Sequence, residues 1–127
     1  MKAPLASFTR TIPAEKKPEQ VAEILHREDP YLPLTFRPAR ARQGDFIYLV
    51  HRGKIIGRAE ITRIESAPEA ARLEAVNPPA WSNWLIWYRG SWQQPPREIA
   101  VQGHQGVRYL ETLGLKDLDR EDWPETI

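Results

Sequence analysis

The stretch "GDFIYLVHRGKIIGRAEITRIE", Gly44 to Glu65, decides the fold. Phe46 to Val50 is a continuous run of residues that favour strands. "HRGK", His51 to Lys54, makes a turn in which Gly53 is free to take positive φ. Lys54 to Ile64 then returns as a second strand. Its Ile55, Gly57, Ala59 and Ile61 alternate with Ile56, Arg58, Glu60 and Thr62, the period-two pattern of a sheet. Gly57 and Ala59 are small, which predicts another backbone, or the curve of a barrel, passing close to them. Gly44-Asp45 is read as the tight turn that delivers the chain into this hairpin.

Upstream, residues 1–13 read as an extended N-terminal segment anchored by Phe8 and Ile12. In "AEKKPEQVAEILHRED" the apolar spacing of Val21, Ile24 and Leu25, running on to Glu28, predicts a helix with one apolar face. Pro18 suits its first turn, and Glu19 suits the positive end of its dipole. "DPYLPLTFRPAR" is punctuated by Pro30, Pro33 and Pro38, so it is an extended loop or short strand. Downstream, a short helix is expected over Pro68 to Val76, stopped by Asn77-Pro78-Pro79. "NWLIWYRG" reads as a strand with Trp84, Ile86 and Tyr88 on one face and Leu85, Trp87 and Arg89 on the other. "REIAV" and "VRYLE" read as the closing strands, followed by an acidic tail over residues 112–127 that begins with a helical turn. No repeat or second domain is visible, so residues 1–127 form one domain.

Composition narrows the function classes. The chain has 127 residues and 41% hydrophobic residues, enough for a packed core. Its 12 prolines favour short strands and structured loops over long helices. The absence of Cys excludes disulfides, thiolate metal sites and Cys nucleophiles, and fits a cytoplasmic protein. No apolar run approaches the roughly 20 residues of a membrane span, and the N-terminus lacks the apolar core of a signal peptide. Net charge is +1, but residues 1–64 carry +5 and residues 65–127 carry −4.

The basic residues Arg37, Arg40, Arg42, Arg52 and Lys54 are therefore candidate phosphate contacts, against the plainer reading of a solvated strand face. Trp81 and Trp84 are candidate base-stacking residues, with barrel-end plugs as the alternative. In "VQGHQGVRYLE" the segment Gly103, His104, Gln105 and Gly106 would shape a pocket, with Arg108 beside it. His104 is also a weak candidate for a general base that Glu60, Glu98 or Asp45 would orient. His26, His51 and His104 show no metal-ligand spacing, so neither a metal nor a cofactor is expected.

Two stretches, "ARQGDFIYLVHRGKIIGRAEI" (Ala41 to Ile61) and "PPREIAVQGHQGVRYL" (Pro95 to Leu110), resemble the PUA-like superfamily of small β-barrels, which includes the PUA, ASCH and EVE domains. In the first, Gly-Asp opens a strand and a hairpin returns through a Gly-x-small segment. In the second, a Pro-led strand meets Gly-x-x-Gly and a final apolar strand. The Gly-x-Lys-x-x-Glu-x-Arg run common in ASCH domains does not occur, so the resemblance is to the superfamily and not to one branch. It implies association with RNA, or with modified bases in DNA, at a barrel mouth. The expectation is an α+β protein: a small, mostly antiparallel barrel of five or six strands with two short helices, binding nucleic acid without catalysis. The alternatives are a small hydrolase of ASCH type, either a ribonuclease or a nucleoside amidohydrolase, and a protein-interaction module beside a nucleic-acid-processing machine.

Overall fold

A computed structural model describes residues 6–26, 31–89, 92–104 and 106–124. Gln105 and the helix-end position Glu28 lie outside the described residues. The elements run β1 (Phe8–Ile12), α1 (Pro18–Leu25), β2 (Tyr31–Leu34), β3 (Phe46–His51), β4 (Lys54–Ser66), α2 (Ala67–Leu73), β5 (Trp84–Tyr88) and β6 (Val107–Tyr109), followed by a 3-10 turn at Lys116–Arg120. The strands form one curled sheet in the order β2-β5-β4-β3-β1-β6, a half-barrel. All neighbours are antiparallel except β1 and β3, which run parallel.

The deciding hairpin forms as its sequence indicates. His51 pairs with Lys54 across a two-residue turn. Both turn residues have positive φ, Arg52 at 51° and Gly53 at 80°, the type I′ geometry whose twist matches antiparallel strands. The curl is concentrated in β4. Its 13 residues pair first with β3 and then with β5, and the register slips opposite Leu49/Val50 and again between Ile61 and Arg63. Each slip is a bulge that bends the strand and increases its twist. Gly57 and Ala59 are buried in the bent part.

Both faces of β3 are covered, which explains its unbroken apolar run. Ile47 and Leu49 enter the concave core with Phe8, Ile12, Ala59, Ile61, Ile86 and Trp92. Tyr48 and Val50 face the convex side, in a second core with Ile55, Ile99, Val101, Leu110, Leu118 and Trp123. The C-terminal stretch supplies most of that cover. Residues 112–124, read from sequence as an acidic tail, lie against the sheet and bury Leu118 and Trp123.

Two expectations need correction. "REIAV" forms no ladder strand: it touches the sheet at one isolated bridge, Lys54 with Ala100, and Ile99 and Val101 plug the convex core on either side. The second helix ends at Leu73, before Val76. Ala75 has φ 55°, a left-handed conformation that no α-helix continues through. Its start is as the sequence suggests, with Pro68 in the first turn and the Ser66 hydroxyl accepting from Glu69 N at 3.4 Å. Among the described residues no helix is long and apolar enough to cross a membrane.

Candidate functional site

The concave side of the half-barrel contains an open cavity of about 170 Å³ at the end where β1 leads towards α1. Its walls are aromatic and aliphatic, with Trp81, Tyr88, Trp92, Tyr31 and Ile24 among them. Tyr88 and Trp92 stand as a pair, ring centroids 4.7 Å apart and planes 53° from parallel. Trp81 is 54% exposed and forms part of the rim. A dry engineered cavity of about 150 Å³ accepts a benzene-sized ring, so this space suits one planar ring. The Trp92 indole N–H is buried and has no acceptor among the described residues.

Among the described residues one charged side chain reaches this wall, Arg10. Side chains alternate along β1, so Arg10 shares a face with Phe8 and Ile12, both in the concave core. Burial pulls the Arg10 guanidinium below its ordinary pKa. No carboxylate or carbonyl of the described residues pairs with it. A half-desolvated cation with open donors beside a ring-sized aromatic space can hold the acceptor atoms of a planar ligand or an anionic group. Arg10 was missed in the sequence. The available signal was a single cation on the inward face of "FTRTI", between two anchors.

The positions singled out from sequence divide into groups. Trp81 alone belongs to the cavity. Arg37, Arg40, Gly106 and Arg108 lie along the open seam between β2 and β6. Arg37 stacks on Trp84 at 5.3 Å from the ring centre. Arg40 stacks on Tyr109 at 4.7 Å, donates its backbone N–H to the Tyr109 hydroxyl at 3.0 Å, and pairs with Glu111 at 2.5 Å. The Glu111 carboxylate hydrogen bond raises the Arg40 pKa, and Arg40 lowers that of Glu111. Phe36 packs over Gly106, where an added Cβ would lie 3.7 Å from the ring. Gly106 has φ +70°, so its conformation favours glycine as well. The 35–45 connection therefore closes the seam, and part of its charge is spent on that closure. Arg42 donates its backbone N–H to the buried Asp45 carboxylate at 2.8 Å, and Ala6 N–H donates to the other oxygen at 3.1 Å. Arg108 is exposed on β6. Arg52 and Lys54 sit apart, at the β3–β4 turn. Arg52 donates to the Ala14 carbonyl at 3.1 Å, and Lys54 pairs with Glu98, whose carboxyl it holds below the usual range.

Gly103 and His104 pack on β1. A Cβ on Gly103 would meet the Thr11 methyl at 3.4 Å, and His104 N–H donates to Thr11 Oγ1 at 3.1 Å. The fully buried Thr9 hydroxyl donates to the Arg108 carbonyl at 3.2 Å. Thr9 Oγ1 also shares a hydrogen bond of 2.6 Å with His104 Nε2. The carboxylates considered as its orienting groups have other partners: Glu60 pairs with Arg89, Glu98 with Lys54, and Asp45 accepts backbone N–H groups. Gly103 and His104 are thus fastened to β1. Trp84 lies half-buried at the far end of β5 and carries Arg37 on its ring.

A second arginine has the opposite setting. Arg58 on β4 is 5% exposed. Its guanidinium lies between the rings of Phe46, at 4.1 Å, and Trp123, at 4.6 Å. It donates to Gln93 Oε1 at 2.7 Å, to the Leu118 carbonyl at 3.1 Å and to the Tyr48 hydroxyl at 3.2 Å. Tyr48 donates to Asp119 at 2.6 Å, and Ser7 donates to the other Asp119 oxygen at 2.7 Å. Burial, then the Asp119 hydrogen bond, pushes the Tyr48 pKa far up, so this hydroxyl keeps its proton.

Comparison with protein-family models, with curated proteins and with solved structures finds no match to this chain.

Proposed function

We propose that this protein binds nucleic acid without catalysing a reaction, taking one unpaired base into the concave cavity. The observation that supports this reading best is the ring-sized aromatic space with the half-buried guanidinium of Arg10 in its wall, without a partner among the described residues. Aromatic walls stack any base, each stack contributing about 1–3 kcal/mol, and a guanidinium reads phosphates and base edges alike. Arg37 and Arg108 along the seam are exposed and offer charge to the adjoining backbone. On this reading the half-barrel is a PUA-like domain, in line with the resemblance carried by residues 41–61 and 95–110. The network that holds His104 against β1 favours the binding reading over hydrolysis.

The test is fluorescence anisotropy with labelled single-stranded RNA and DNA oligomers across a salt series, alongside tryptophan emission. Binding that weakens steadily with salt and quenches tryptophan emission is expected. No detectable binding of any oligomer in low salt would overturn the reading.

A further inference from the structure

The cavity wall has an unusual imbalance between donors and acceptors. Its polar side chains are Arg10, Thr11, Tyr31, Tyr88, Trp81 and Trp92, and no Asp, Glu, Asn or Gln stands among the described lining residues. A guanidinium and an indole N–H only donate, and the Thr11 oxygen already accepts from His104 N–H. The strongest group is therefore a fork of donors that no carboxylate of the described residues occupies. The four bases differ in what they offer such a fork. Guanine presents O6 and N7, two adjacent acceptors, and uracil and thymine present O4. Adenine keeps N7 but carries the amino donor N6 where guanine has O6, and cytosine carries the amino donor N4 where uracil has O4. A donor facing a donor gains no hydrogen bond and leaves two desolvated groups unpaired.

Resting on the nucleic-acid reading above, we infer that the cavity selects keto bases, guanine and uracil or thymine, over the amino bases adenine and cytosine, and that Arg10 is the residue that sets this preference. Stacking on Tyr88, Trp92 and Trp81 is common to all four bases and contributes affinity without choice. The discrimination falls to the guanidinium, whose fixed planar fork a lysine does not reproduce.

Four single-stranded probes test this: homo-oligomers of uridine, adenosine and cytidine, and an adenosine oligomer carrying one guanosine. The wild-type protein is expected to bind the uridine and guanosine probes about five- to tenfold more tightly than the other two, the size of one good base-edge contact. In Arg10→Ala the four affinities converge. In Arg10→Gln, which offers an acceptor as well as a donor, preference moves towards adenosine. Thermal melting of each variant establishes that it is folded, and Arg10→Gln keeps the test alive if the alanine variant unfolds. Equal binding of all four probes by the wild type overturns the selectivity while leaving nucleic-acid binding intact. So does a preference that persists unchanged in folded Arg10→Ala. Failure of every probe to bind in low salt overturns the nucleic-acid reading itself, and the selectivity with it.

Discussion

Arg10 and Arg58 lie on opposite faces of the same curled sheet, and they show what separates a structural cation from an available one. Arg58 is deeper, yet every direction around it is occupied: two rings above and below, and oxygens from Gln93, Tyr48 and Leu118 at its edge. Arg10 is shallower and has burial without a partner among the described residues. A buried charge surrounded by acceptors holds a fold together, whereas one left unsatisfied marks a place where the fold gives up some stability for something else. Depth alone would have ranked the two the wrong way round.

The contrast breaks most readily at Arg58. Arg58→Ala removes the stacking with Phe46 and Trp123, leaves the Gln93 oxygen and the buried Leu118 and Tyr48 oxygens without their donor, and takes the nearby cation from the half-buried Asp119 carboxylate. A loss of about 3–5 kcal/mol is expected in urea unfolding; a loss under about 1 kcal/mol would mean the network is decorative. Tyr48→Phe is the next step down. It deletes the hydroxyl that links Arg58 to Asp119 and should lower stability by about 1–3 kcal/mol. It should also alter the alkaline limb. With a raised folded pKa, Tyr48 stays protonated in the native state while the unfolded chain ionises above its ordinary value near 10. The wild type therefore loses stability as pH rises above that value, and the Tyr48→Phe variant should lose less of it over the same range.

Arg10→Met tests the other side of the comparison. Replacing a half-desolvated guanidinium that no described residue pairs with by a flexible apolar chain should leave the urea midpoint unchanged or slightly raised, within about 0.5 kcal/mol. A clear destabilisation would show that Arg10 belongs to the core after all. The smallest effect belongs to the seam. Arg40 depresses the Glu111 pKa, so their attraction is fully present above the unfolded carboxyl value and fades as pH falls through the folded one. Both groups are exposed and screened. Glu111→Gln should therefore barely shift the melting temperature, while hydrogen exchange in residues 35–45 rises modestly, as it should in the wild type under acid.

The architecture was legible wherever the sequence carried a local period or a turn with its own chemistry. The alternation across Lys54–Ile64, the Arg52-Gly53 turn and the apolar face of α1 each point to the element that forms. What stayed hidden depends on partners remote in the chain. "REIAV" has the residues of a strand, but it meets the start of β4 at one isolated bridge, Lys54 with Ala100, and its apolar side chains seal a face. The site was less legible still. Sequence density drew attention to Arg37, Arg40 and Lys54, which the fold stacks or pairs, because local charge counts do not register a Glu far along the chain. Trp81 was found because aromatics in Pro-rich loops tend to remain exposed. Arg10 is one residue in an ordinary strand, and only the closing of the sheet around it makes it conspicuous.

The parallel pairing of β1 with β3 also bears on how the molecule is assembled. The first strand of the chain ends up between β3 and the last strand, β6, with Thr9 and Arg108 joined across 99 positions. During synthesis β1 emerges long before β6, so it can complete only one of its two ladders while the chain is still being made. Such long-range closure is slow. A shortened C-terminus would do more than lose a tail: it would strip β1 of its outer neighbour and present an unpaired strand edge to other chains. The late-arriving β6 is thus this fold's safeguard against aggregation as well as its last tie.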